Sequence, residues 1–102
     1  MATSIVRNEE LSTFEIYLDN ELAGFAEFRM RGNTIVFPHT EIDPKFGGQG
    51  LGSALIQYAL DDAAMKKLLV APYCPFVSKY IGKNPDKYLF LVPEADRAKF
   101  GL

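Results

Sequence analysis

Cys74 is followed at once by Pro75, a pairing that places a thiol where a helix begins. A thiol at a helix N-terminus faces the positive end of the dipole, which favours the thiolate and makes a better nucleophile. The plainer reading is a small buried residue that fills space. His39, the only histidine of the chain, is a candidate proton acceptor. Glu41 stands two residues further on, so both share one face of a regular strand. The alternatives are a histidine held by ordinary hydrogen bonds and a solvated strand glutamate.

Four glycines, Gly47, Gly48, Gly50 and Gly52, fall within six residues where a strand gives way to a helix. The first turn of a helix has unpaired N–H groups and a positive dipole end. Glycines let a bulky anion approach that backbone closely. The segment therefore reads as an anion cradle rather than a turn that needs glycine for shape alone. Two common phosphate loops are excluded. A P-loop needs Lys-Ser/Thr after its last glycine, and Gly52 is followed by Ser53-Ala54. The dinucleotide fingerprint needs glycine where Ser53 or Leu55 stands.

The elements that position these groups follow from periodicity. Ser4–Arg7 suits a short strand. Phe14, Ile16 and Leu18 alternate with Glu15 and Tyr17, a period of two. Asp19-Asn20-Glu21 supplies a turn. Leu22–Met30 is the next strand, with a bulge expected at Gly24. Arg31-Gly32-Asn33 turns the chain into Ile35–Ile42, where Pro38 again suggests a bulge. A helix is expected from about Gly50 to Lys66. Leu51, Leu55, Tyr58 and Asp62 lie on one side, and Ala54, Ile56, Ala59, Leu60 and Ala63 widen its apolar face. Leu68–Ala71 reads as a buried strand parallel to the one before the helix. A second helix runs from Pro75 to about Asn84, and Tyr88–Val92 reads as a last strand. Residues 93–102 read as a polar tail or short helix.

The stretch Glu41-Ile42-Asp43-Pro44-Lys45-Phe46-Gly47-Gly48-Gln49-Gly50-Leu51-Gly52-Ser53-Ala54-Leu55 resembles motif A of the GCN5-related N-acetyltransferases. His39-Thr40-Glu41-Ile42-Asp43-Pro44 and Cys74-Pro75-Phe76-Val77-Ser78-Lys79-Tyr80-Ile81 are similar to two motifs of a minimal, single-domain subgroup of that family. The resemblance spans roughly Phe14 to Tyr88. It implies an α/β fold: a mixed, mostly antiparallel sheet with a central parallel pair flanking the cofactor. It implies acetyl-CoA as cosubstrate, with Ile42 on the pantetheine and Gly47, Gly48, Gln49, Gly50, Leu51, Gly52 and Ser53 on the pyrophosphate. Cys74, Phe76, Lys79 and Tyr80 join that cofactor set. Lys45, Lys79 and Lys83 are within reach of an adenosine 3′-phosphate.

By the same resemblance the reaction is acetyl transfer to an unidentified amine. Either the amine attacks directly, with Glu41 or His39 taking its proton, or Cys74 is acetylated first. The alternative is a CoA-binding or interaction module with little catalysis. Two departures stand out: the family's leading Arg or Gln is Gly47 here, and Tyr80 falls one residue before the tyrosine that protonates the departing thiolate in the family. Core packing is its other role. Extra N-terminal helices that build the amine pocket in larger members have no counterpart, so the acceptor site is expected to be open or shared.

Composition bounds the rest. The 102 residues suit one domain, and 48% apolar content suffices for a core. Net charge is −2 and no Lys/Arg run occurs, which argues against nucleic acid as a partner. One cysteine gives neither an internal disulfide nor a zinc site by cysteine spacing. No stretch has signal length or the roughly 18 apolar residues of a membrane span. The expectation is a cytoplasmic protein without metal or membrane contact, a monomer or weak homodimer.

Overall fold

The computed structural model describes residues 2–102. Five strands lie in sequence order: β1 (Thr3–Asn8), β2 (Thr13–Leu18), β3 (Glu21–Arg31), β4 (Thr34–Ile42) and β5 (Leu69–Ala71). The first four form an antiparallel meander, and β5 pairs parallel to β4. The α/β, mostly antiparallel expectation is therefore met. Helices α1 (Leu51–Met65), α2 (Pro75–Lys83) and the single turn α3 (Pro85–Tyr88) complete the fold.

Turn chemistry sets the register. Asp19 and Asn20 both adopt positive φ (50° and 71°), as the tight hairpin between β2 and β3 requires. Gly32 supplies the single left-handed residue (φ 62°) of the next hairpin. Two bulges then bend the sheet. On β4, Phe37 and Pro38 oppose the single residue Phe28, at the place the proline indicated. On β3 the extra residue is Ala23, not Gly24. Gly24 serves a different need: a Cβ there would lie 2.5 Å from the Glu41 carbonyl oxygen and collide with the Ile42 side chain.

One face of the sheet packs on α1. Phe14, fully buried, touches Phe28 (ring centroids 5.2 Å), Phe37 (6.3 Å) and the edge of Tyr58 (6.1 Å). From α1, Leu51, Leu55, Ile56, Ala59, Leu60 and Ala63 enter the core, a face wider than a stripe. Tyr58 itself stays half-buried. The alternation in β2 also holds, yet Glu15 is buried on the opposite face. Asn8, Thr13 and Tyr17 donate hydrogen bonds to its carboxylate, which lets a charge lie there. The same bond raises the pKa of the Tyr17 hydroxyl.

One expectation near the C-terminus fails. Tyr88–Val92 is not a strand: Tyr88 ends α3 and residues 89–91 form a 3-10 turn. Tyr88, Leu91 and Val92 are buried while Phe90 is exposed, which is helical spacing. Residues 93–102, expected as a polar tail or short helix, form two short 3-10 turns, Glu94–Asp96 and Ala98–Phe100. Arg97 donates to the carbonyls of Val92 (3.0 Å) and Leu89 (3.2 Å), and Phe100 stacks edge-on against Tyr73 at 5.0 Å. No helix among the described residues is long and apolar enough to cross a membrane.

Candidate functional site

The glycine loop is built from its ends. The Asp43 carboxylate accepts from Lys45 N–H, fixing a 3-10 turn over Pro44–Phe46, and buried Phe46 anchors that turn. Gly48 (φ 79°) and Gly50 (φ 72°) then take left-handed conformations that side chains resist. Gly50 is the N-cap of α1 and brings no side-chain cap. The first-turn N–H groups of α1 thus have no side-chain cap. They border a cavity of about 250 Å³ lined by Ile42, Phe46, Gly47, Gly48, Gly50, Leu51, Gly52, Ser53 and Phe76. Gly52 is a close-approach glycine: a Cβ there would lie 2.6 Å from Phe76 Cζ. Its absence lets α2 dock against the start of α1.

Ser53 and Phe76 also border a second cavity of about 430 Å³, completed by Lys79, Tyr80, Lys83 and Asn84. The two cavities therefore share Ser53 and Phe76 as common lining. Asn84, which also donates to the Tyr80 carbonyl, carried no sequence signal for this role. Three expected members, Gln49, Lys45 and Cys74, border neither cavity. Gln49 is exposed and lines neither cavity. Lys45 pairs with Glu21 at 2.6 Å, a contact that raises its pKa and commits its charge to the neighbouring hairpin. Tyr80 stacks near Tyr88 at 5.9 Å while still bordering the groove, so packing and lining coexist.

β4 reaches the loop cavity at Ile42. β5 pairs with it only at Thr34, Ile35 and Val36. The Cys74 N–H to Phe37 carbonyl bond (2.8 Å) is the last tie. Beyond the Pro38 bulge, residues 38–42 have no backbone partner on that side among the described residues. A strand edge keeps half of its N–H and C=O groups pointing outward, so an extended chain with amides can add there.

His39 and Glu41 are brought together and Cys74 is not. His39 pairs with Glu27 and Glu41 with Phe25, so both point away from α1. His39 Nε2 lies 3.4 Å from Glu41 Oε1, and its ring is 6.1 Å from that of Phe25. Both side chains are more than half exposed (52% and 63%). Cys74 is the N-cap of α2, as its sequence position suggested, but it belongs to the core cluster and is only 6% exposed. It borders neither cavity of the groove. Among the described residues no group of three or more His, Cys, Asp or Glu is placed to hold a metal.

A strand, a glycine turn and a helix start thus present unpaired N–H groups beside a free sheet edge. The family model for GCN5-related N-acetyl-transferases matches residues 13–91. The chain belongs to that family, whose members use acetyl-CoA, and is an acetyltransferase. Among solved structures it is similar to a GCN5-like protein from Staphylococcus aureus, with a TM-score of 0.65 and 25% identity over 88% of this chain and 87% of that one. It shares the fold of the PaiA N-acetyltransferase of Thermoplasma acidophilum, solved in complex with coenzyme A (TM-score 0.52, 21% identity), covering 56% of this chain and 36% of that one. The Ard1 structure from Thermoplasma volcanium is similar to the same degree (TM-score 0.54, 21% identity), covering 63% and 45%. No curated protein matches the chain significantly by sequence.

Proposed function

We propose that this domain moves the acetyl group of acetyl-CoA onto a primary amine by direct attack. The observation that carries the reading is the separation of two candidate machineries. The His39–Glu41 pair is exposed beside the free edge of β4, whereas Cys74 is buried. With Nε2–H held by Glu41, His39 Nδ1 is free to accept the proton of the attacking amine. The carboxylate then steadies the imidazolium. The amine nitrogen bonds to the acetyl carbon, the C–S bond breaks, and the thiolate leaves with CoA.

The first-turn N–H groups of α1 and the loop Gly47–Ser53 hold the pyrophosphate, by charge and dipole. Lys79 and Lys83 in the basic groove take the 3′-phosphate. Residues 38–42 carry the pantetheine. An uncovered acceptor face agrees with the exposure of His39 and Glu41, and the same reading keeps a cytoplasmic, single-domain monomer or weak homodimer.

The test is a panel of amines assayed for CoA release, with intact mass after acetyl-CoA alone. Direct attack predicts that His39→Ala slows transfer about 100-fold, that Cys74→Ser keeps it, and that no acetyl adduct forms. An adduct that disappears in Cys74→Ser would overturn the mechanism. CoA binding with no accepted amine would favour a binding module instead.

A further inference from the structure

β1 is the outermost strand of the sheet, with β2 on one side and no strand on the other among the described residues. Its pairing with β2 runs unbroken from Thr3 to Asn8. The Asp19 N–H donates to the Ala2 carbonyl at 2.8 Å, which continues that register and fixes its phase. Bonded and non-bonded pairs alternate along an antiparallel ladder. Ser4, Val6 and Asn8 therefore bond to β2, while Thr3, Ile5 and Arg7 turn their N–H and C=O groups outward. No described residue bonds to those outward groups. Proteins commonly blunt such an edge with a proline, a lysine or a bulge, and β1 has none of these. The Arg7 guanidinium lies 4.5 Å from the centre of the Phe28 ring and donates to Asp62 at 2.9 Å. Its side chain is thus drawn across the sheet and leaves the backbone of the edge open.

We propose that this edge joins two copies of the chain, β1 pairing antiparallel with β1 of the partner about a two-fold axis through Ile5. The phase selects that register. It sets Ile5 opposite Ile5 and Thr3 opposite the partner's Arg7, so all the outward groups meet and about six backbone hydrogen bonds close. Centring the pair on Ser4 or Val6 would leave one outward residue of the strand unmatched in each copy. The side chains suit the same register. Ile5, packed at the margin of the core, meets its equivalent on the face toward α1. Val6, 46% exposed on the opposite face, lies beside Ser4 of the partner subunit and diagonally across from the partner's Val6. Arg7 stands opposite a threonine, so no like charges meet. An unrelated extended segment would satisfy the backbone but not this matching of side chains. The axis is normal to the sheet, so both copies open His39 and Glu41 to the same side, with the two β4 strands roughly 34 Å apart. The inference does not depend on the acetyl-transfer reading.

The experiment measures the mass of the full chain by sedimentation equilibrium, and amide hydrogen exchange by NMR, in dilute and concentrated solution. The small junction predicts a weak dimer, with a Kd of about 10–100 μM. Exchange at Thr3, Ile5 and Arg7 should slow as concentration rises, whereas Ser4, Val6 and Asn8 should be protected throughout. Thr3→Pro removes an outward N–H at the first residue of the strand and leaves the ladder to β2 intact. It should raise the Kd at least about tenfold and melt as wild type does when both are dilute. Val6→Lys sets two ammonium groups diagonally across the junction and should weaken the dimer without touching any outward group. It provides the comparison if Thr3→Pro does not fold. A wild type that stays monomeric up to about 1 mM, tenfold above the expected range, overturns the inference. So does a dimer in which Thr3, Ile5 and Arg7 exchange as fast as in the monomer, or one that Thr3→Pro and Val6→Lys leave unchanged.

Discussion

Replacing Gly52 by alanine separates the stability of the fold from the fitness of the site. The added Cβ would lie 2.6 Å from Phe76 Cζ, about 1 Å inside ordinary contact. The obstacle is the tip of a side chain that is already 44% exposed, so the ring can swing outward. Losing the packing of a half-buried phenylalanine costs about 1 kcal/mol. Alanine in place of glycine in a helix returns about 0.5–1 kcal/mol. The two effects nearly cancel, and unfolding in urea should move by less than about 0.5 kcal/mol. Affinity should not be spared, because Gly52 and Phe76 both line the loop cavity. A methyl group and a displaced ring there should weaken CoA about tenfold, ~1.4 kcal/mol. In the Gly52→Ala/Phe76→Ala double variant the collision is gone, so Gly52→Ala should cost less in that background, with a coupling of about 1 kcal/mol. Calorimetry and urea curves on the four proteins decide it. Unchanged affinity with full stability would show that the cavity is not where CoA binds. A large loss of stability would show that the ring cannot yield.

Gly24→Ala should behave in the opposite way, because its obstacle is the Glu41 backbone oxygen at 2.5 Å as well as the Ile42 side chain. Backbone cannot rotate aside, so urea unfolding should show a loss of about 2–3 kcal/mol; a change below about 0.5 kcal/mol would refute the register of β3 on β4. Tyr88 donates to Asp61 at 2.8 Å, and burial first, then this bond, holds its pKa above the ordinary tyrosine value. The unfolded chain loses that proton near pH 10 while the native state keeps it, so this contribution is full below about pH 10 and falls as pH rises above it. Stability measured from pH 8 to 12 should decline less steeply in Tyr88→Phe than in wild type, and parallel curves would contradict the assignment.

Much of this was legible because it is local. Asp19-Asn20 and Gly32-Asn33 specify their hairpins by φ alone, Pro38 marks its bulge, and the Gly47–Ser53 spacing marks a helix start. What could not be read depends on partners distant in sequence. Glu15 sits at an alternating polar position, yet Asn8, Thr13 and Tyr17 bury it. Lys45 pairs with Glu21, twenty-four residues away, and does not line the groove. Tyr88–Val92 is an apolar run whose length suits strand or turn equally, and only its burial at Tyr88, Leu91 and Val92 distinguishes them. Cys74 was placed correctly at a helix start, but the packing that buries it comes from the whole core cluster.

The central claim is that the free edge of β4 and the glycine loop together bind CoA. Amide NMR spectra recorded during a CoA titration test it most directly. The largest shifts are predicted at residues 39–42 and 47–53, with smaller ones at Phe76, Lys79 and Lys83. Unmoved loop amides at saturating CoA, or shifts confined to the separate cavity lined by Leu22, Ala23, Gly24 and Phe25, would contradict the account.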